Sequence, residues 1–180
     1  MPDDTHRRDA DAFADLRDAN EVYAADFALG GLEPRAARGL AVLTCMDSRI
    51  EPLTALGLLP GDAKIVRNAG ARVTEDVLRT LVLAVHLLGV ERILVMPHTR
   101  CRMAGQAEND VHAAIDTATG LDTRSLEFRT VSDQLAALDT DLQRIRSWPW
   151  IPDDVPVAGA VYDVDTGRLG PLRSPGPDRH

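Results

Sequence analysis

Two stretches of this chain carry residue types able to do metal chemistry: Cys45-x-Asp47-x-Arg49 and, further on, His98-x-x-Cys101. Cys45 and Cys101 are the only cysteines. Two thiolates and one imidazole make three of the four ligands of a tetrahedral zinc ion. A fourth position left to water or a carboxylate is the layout of a catalytic site. Neither cysteine stands in a Cys-x-x-Cys pair, which argues against thioredoxin-like redox chemistry. The plainer alternative is a pair of buried thiols, because cysteine often serves as a small core residue. The spacing of His98 from Cys101, and both cysteines standing just beyond apolar runs, favour ligands. Asp47 and Arg49, two residues apart, suit a guanidinium fork that orients a carboxylate; the alternative is a salt bridge that only holds the loop.

The elements that must position these residues are readable from punctuation and periodicity. Phe13, Leu16, Ala19, Val22, Tyr23 and Phe27 recur at helical spacing within 9–29, and Gly30-Gly31 closes that segment. Leu40 to Thr44 is a short continuous apolar run, the pattern of a strand covered on both faces. A short helix is expected from Pro52 to Gly57, a turn at Pro60-Gly61-Asp62, and a second strand over 63–67. Thr74 caps a helix that is apolar almost all round and ends at Gly89, so burial or a subunit interface is expected for it. A third strand over 92–96 runs into Pro97-His98. Helices are expected over 103–118 and 131–147, the second with Leu135, Leu138, Leu142 and Ile145 on one side. A strand and hairpin are expected over 157–169.

Strands alternating with helices predict an α/β fold with a mainly parallel sheet flanked by helices. Ligand sites in such sheets form beyond the carboxyl ends of the strands, where strand order reverses. If the first and third strands are neighbours, Cys45, His98 and Cys101 converge on one crevice.

Composition excludes several other classes. A chain of 180 residues fits one domain. Acidic residues outnumber basic ones by 28 to 20, and Lys64 is the sole lysine, so no nucleic-acid surface is expected. The charged stretch from Met1 to Arg8 leads into no apolar segment, so no secretory signal is read. Val77 to Val90, interrupted by Arg79, Thr80 and His86, is too short for a membrane span. A soluble, cytoplasmic protein is expected, in which two cysteines serve as ligands or thiols rather than a disulfide.

Taken together, the motifs resemble a β-class carbonic anhydrase of the short bacterial type. The matching stretches are Thr44-Cys45-Met46-Asp47-Ser48-Arg49, Gly61-Asp62-Ala63 through Arg67-Asn68-Ala69-Gly70, Thr74-Glu75-Asp76, and His98-Thr99-x-Cys101-x-Met103. Trp150-Ile151-Pro152 through Tyr162-Asp163-Val164 continues the likeness, which covers about residues 35 to 170. The resemblance implies one zinc per chain on Cys45, His98 and Cys101, and reversible hydration of carbon dioxide to bicarbonate by zinc-bound hydroxide. It gives Asp47 the fourth zinc position in a closed form, and Arg49 the task of drawing it away to open the site. It implies a homodimer or higher homo-oligomer, with residues 1–34 as a helical arm contacting the partner, 35–170 as the zinc domain and 171–180 as a disordered tail. Hydrolysis of carbonyl sulfide or carbon disulfide on the same zinc is the alternative, as is a catalytically silent zinc- or bicarbonate-binding homologue.

The second motif departs from the family pattern at Pro97, Arg100 and Arg102, where glycine or histidine, an acidic or small residue, and glycine are usual. Two added positive charges beside the metal are expected to stabilise thiolates and anions. Among the other histidines, His86 reads as packed within its helix and His112 as a lesser candidate for proton shuttling. His6 and His180 fall in the tails. Asn68-Ala69-Gly70 reads as a tight turn, whether for packing or for substrate, and Trp148 and Trp150 as anchors of the C-terminal helix.

Overall fold

The computed structural model describes residues 11–174, and His6 and His180 fall outside them. The chain divides into two units, one up to Leu32 and one from Glu33 onward. The first holds α1 (Ala14–Ala25), which buries none of its residues and leaves Phe13, Leu16, Val22, Tyr23 and Phe27 exposed beside it or upon it.

The second unit is built on β1 (Leu40–Cys45), β2 (Ala63–Asn68), β3 (Arg92–Met96) and β4 (Val157–Gly159). These pair in the order β2-β1-β3-β4, all parallel. Cys45 lies opposite Asn68 in β2, and Thr44 opposite Met96 in β3. Chain direction across the sheet reverses between β1 and β3, so the ends of those two strands form the switch-point crevice.

Alternation along the strands sends side chains to two cores. Ala41, Leu43, Ile93 and Val95 face one side, where they meet α3 (Glu75–Leu87) and α5 (Gln134–Arg146) through Val77, Leu78, Leu81, Leu138, Leu142 and Ile145. Val42, Leu94 and Met96 face the other, with Cys45, Ile50 and Cys101. The helix α2 (Pro52–Ala55) is a single turn opened by its proline. The Leu138 side chain of α5 comes so close to β4 that a Cβ on Gly159 would meet its Cδ1 at 2.7 Å, so a larger residue there must displace that side chain. The Thr74 hydroxyl accepts from Val77 N at 3.3 Å to start α3, and Asp133 accepts from Leu135 N and Ala136 N to start α5.

Several expectations are corrected. The helix expected from Met103 begins only at Glu108, as α4 (Glu108–Thr119). Val131 takes the intervening backbone instead: its N–H donates to the Met103 carbonyl at 2.9 Å, and Gly105 N–H donates to the Val131 carbonyl at 2.8 Å. That pairing also removes Val131 from α5. The strand expected over 157–164 ends at Gly159, because Pro97 follows β3 and has no N–H to continue the ladder. The chain still tracks β3, with Tyr162 N–H donating to the Pro97 carbonyl at 2.8 Å, and it still turns back to pair Tyr162 with Leu169. The tail expected to be disordered from Pro171 is ordered through Arg173, which bonds Gly159 in both directions and pairs with Asp139. The rest of that tail, from Pro175 on, lies outside the described residues. Of burial or a subunit interface for α3, burial all round does not hold within the chain. The helix leaves Leu83 and Leu87 exposed, and His86 is an exposed residue bonded to the Trp150 carbonyl at 2.9 Å rather than a core histidine. Among the described residues, no helix is long and apolar enough to cross a membrane.

Candidate metal centre

Because β1 and β3 are neighbours, the segments following them bring Cys45, His98 and Cys101 together. One donor atom from each lies within 4.8 Å of the others, and all three residues are buried. The Cys45 and Cys101 sulfurs are 3.9 Å apart. A tetrahedral ion with metal–sulfur bonds of about 2.3 Å sets its two sulfurs about 3.8 Å apart.

His98 is prepared as a ligand by its partners. Its Nδ1 lies 2.8 Å from the Thr99 carbonyl, which can only accept, so the ring proton sits on Nδ1 and the Nε2 lone pair is free. That Nε2 is wholly buried and has no hydrogen-bond partner. A buried polar atom left without a partner is costly, and a metal ion at this point removes the cost. The donor set and its spacing therefore fit zinc.

The two thiols ionise unevenly. A hydrogen bond from Cys101 pulls the Cys45 thiol down to about 4, helped by the N–H groups of Gly70 and Asp47, while burial opposes it. The same bond and burial hold the Cys101 thiol well above the usual thiol range. A divalent cation held by both sulfurs would take the place of the proton they share, its charge compensating both.

Asp47 stands outside the three-donor group and is gripped by Arg49. Arg49 Nε donates to Oδ1 at 2.9 Å, Nη2 donates to Oδ2 at 2.6 Å, and the Arg49 backbone N–H adds a bond to Oδ1 at 3.0 Å. These contacts hold the Asp47 carboxyl well below the ordinary carboxylate range, so it remains an acceptor. Its Oδ2 lies 3.7 Å from His98 Nε2, so the carboxylate borders the metal position. Arg67 fixes the loop beneath it, donating to the carbonyls of Cys45 at 2.9 Å and Asp47 at 2.6 Å.

The departures in the second motif do not disturb the donors. Arg100 takes a left-handed backbone, φ 53°, which glycine or aspartate adopts more readily. Its side chain pairs with Asp165 and its carbonyl accepts from Arg49 Nη2 at 3.4 Å. Of the two added positive charges expected beside the metal, Arg100 is thus compensated by Asp165. Arg102 is exposed and unpaired among the described residues. His112 bonds Thr123 Oγ1 at 2.9 Å and packs on Phe128, in a pocket with Asp116 and Asp122.

Sequence reasoning missed three supports. Gly70 donates its N–H to Cys45 Sγ at 3.4 Å, which gives the Asn68-Ala69-Gly70 turn a task at the site. Gln134 Nε2 donates to the His98 carbonyl at 2.9 Å. Thr99 Oγ1 accepts from Val164 N at 3.1 Å, strapping the ligand loop to the C-terminal hairpin. Gly70 was in view within its motif; nothing in the spacing of Gln134 or Thr99 marks their bonds.

A parallel sheet carrying a Cys2His donor group at its switch point defines a metal-binding α/β protein. A family model described as carbonic anhydrase matches residues 40–127. The β-carbonic anhydrase 1 of Mycobacterium tuberculosis is 36% identical, over 84% of this chain and 92% of its own. A carbon disulfide hydrolase of an Acidianus species is also 36% identical, over 73% of this chain and 76% of its own. The crystal structure of a carbonic anhydrase from Streptococcus mutans superimposes with a TM-score of 0.81 at 36% identity, covering 87% of this chain and 95% of that one. The chain belongs to the β-carbonic anhydrase family.

Proposed function

We propose that this protein reversibly hydrates carbon dioxide to bicarbonate and a proton, at a zinc ion held by Cys45, His98 and Cys101. The observation that carries the reading is the convergence of those three donors, with the orphaned Nε2 of His98 among them, beside a carboxylate locked in a guanidinium fork. Zinc in this position supplies a Lewis acid that brings the pKa of water toward neutrality. Asp47, kept ionised by Arg49, accepts a hydrogen bond from the attacking water and orients its lone pair. Arg49 keeps that carboxylate off the metal. The two thiolates place more negative charge on the ion than imidazoles would, so water is acidified less and activity rises on the alkaline side.

Carbon disulfide hydrolysis is the second reading, supported by the likeness to the Acidianus enzyme. Stopped-flow carbon dioxide hydration between about pH 6.5 and 9, on protein of verified zinc content, separates the two. Turnover that climbs with pH is expected. Sulfide release from carbon disulfide with no hydration of carbon dioxide would replace the first reading with the second.

We further propose that residues 1–34 form an arm whose apolar helix packs on a second copy, making a homodimer. Phe13, Leu16, Val22, Tyr23 and Phe27 form more exposed apolar surface than one helix leaves to water without a partner. Light scattering at micromolar concentration is expected to give twice the chain mass or a multiple of it. A fully active monomer would sink the arm's proposed role.

A further inference from the structure

Helix α5 supplies no donor to the metal, yet it is tied to the segment that carries His98 and to the turn that bonds Cys45 Sγ. Gln134, in its first turn, bonds the His98 carbonyl. Two turns on, Asp141 reaches the 68–72 turn. Arg72 Nε donates to Asp141 Oδ2 at 2.7 Å and Nη2 donates to Oδ1 at 3.4 Å, while Nη1 donates to the Arg129 carbonyl at 3.0 Å. Asp141 is 3% exposed and shares its helix face with buried Leu138, Leu142 and Ile145.

An ion pair in that position is not needed to dock α5. The three apolar neighbours already do so, and apolar residues of similar size at a buried pair often stabilise a fold as well or better. What the pair does hold is the turn. Arg72 N–H donates to Asn68 Oδ1 at 2.9 Å, and Asn68 Nδ2 donates to the Arg72 carbonyl at 2.7 Å, so the Asn68 side chain closes the loop across its mouth. Inside it, Gly70 and Ala71 take successive left-handed conformations, φ 81° and 58°. For alanine this is strained and persists only where the surroundings enforce it. The product of this arrangement is one N–H aimed at a ligand sulfur, Gly70 N to Cys45 Sγ at 3.4 Å. Hydrogen bonds to a ligand atom orient it and tune the electron density it gives the metal.

We infer that Arg72 and Asp141 are positioning residues for Cys45, holding the 68–72 turn so that the Gly70 N–H fixes the thiolate and thereby sets zinc affinity. The inference rests on the zinc reading of the site. It is tested on the full chain with the double variant Arg72→Met/Asp141→Leu, which removes the tie without leaving a charge buried, and with Asp141→Asn. Zinc affinity is measured by chelator competition, and the sulfur-to-metal charge-transfer band is recorded on the cobalt-substituted protein. The double variant is expected to keep a thermal midpoint near that of the unaltered chain, bind zinc about 10- to 100-fold more weakly, and shift the cobalt band. Asp141→Asn is expected to lie between. Leu142→Ala loosens the same helix without touching the tie, and is expected to leave zinc affinity unchanged. Unaltered affinity and cobalt band in the double variant overturn the inference. So does an equal loss in Leu142→Ala, and so does failure of both tie variants to fold, which makes the pair structural. If the unaltered chain binds no stoichiometric zinc, the zinc reading itself fails, separately from the tie.

Discussion

Cys101→Ser is expected to purify with little or no zinc and to hydrate carbon dioxide at below about one hundredth of the unaltered rate, while remaining folded. A serine hydroxyl is not ionised near neutral pH and is a poor zinc donor, so two protein ligands remain where three converged. The loss therefore exceeds the 10- to 100-fold that follows removal of an outer hydrogen-bond partner. Folding survives because Cys101 belongs to the smaller of the two cores, beside Val42, Leu94 and Met96. The main core around Leu43, Leu78 and Leu142 does not touch it. Replacing one small buried sulfur with a hydroxyl is expected to cost about 1–3 kcal/mol, the scale for burying a polar group with imperfect partners. Metal analysis per chain, a thermal melt and stopped-flow hydration give the three readouts. Full zinc content with full turnover would mean that the metal sits elsewhere, and the donor group would lose its assignment.

How much of this was readable in advance follows from what each residue's signal depends on. The strands β1, β2 and β3 begin at the expected residues and end within one residue of expectation. For β1 and β3 this is because a strand buried on both faces must be a continuous apolar run. The strand β2, half-buried at the sheet edge, follows directly on the Pro60-Gly61-Asp62 turn. The three donors were legible for a related reason: each stands just past such a run, and parallel sheets present those ends together. Boundaries set by distant partners were not legible. The start of α4 depends on Val131 bonding Met103 and Gly105, a pairing that no local propensity encodes. The short β4 depends on Pro97, whose missing N–H interrupts the ladder between β3 and β4. The pairing of Arg100 was not legible because Asp165, its partner, lies far along the chain. Asp141 did leave a trace. An aspartate at the helical spacing of Leu138, Leu142 and Ile145 is a polar residue on a core face, and such a residue must have a partner.

Arg49→Ala is expected to keep its zinc and to lose most of its turnover, about 10- to 30-fold. Arg49 Nε and Nη2 are the two charge-assisted donors that hold Asp47. The backbone N–H at position 49 bonds Oδ1 and survives the substitution, so the carboxylate is loosened rather than cast free. Bonds of this type contribute about 1.5–3 kcal/mol when shielded and less in water. The Arg49 side chain is 43% exposed, so the lower part of that range applies to the pair of bonds together. A bias at that lower end toward a form in which Asp47 occupies the metal's fourth position corresponds to about 10- to 30-fold in rate. Arg49→Lys restores the charge without the fork, and is expected to recover only part of the loss. The pH profile discriminates further. With Arg49 gone, the Asp47 carboxyl returns upward toward the ordinary range, yet stays ionised at neutral pH. The loss is therefore a displacement by carboxylate that alkaline conditions relieve, as rising hydroxide competes for the metal, and the variant's profile shifts to higher pH. Zinc loss in Arg49→Ala would make the fork a structural clamp on the Cys45 loop. Full activity with zinc retained would end its role as a gate.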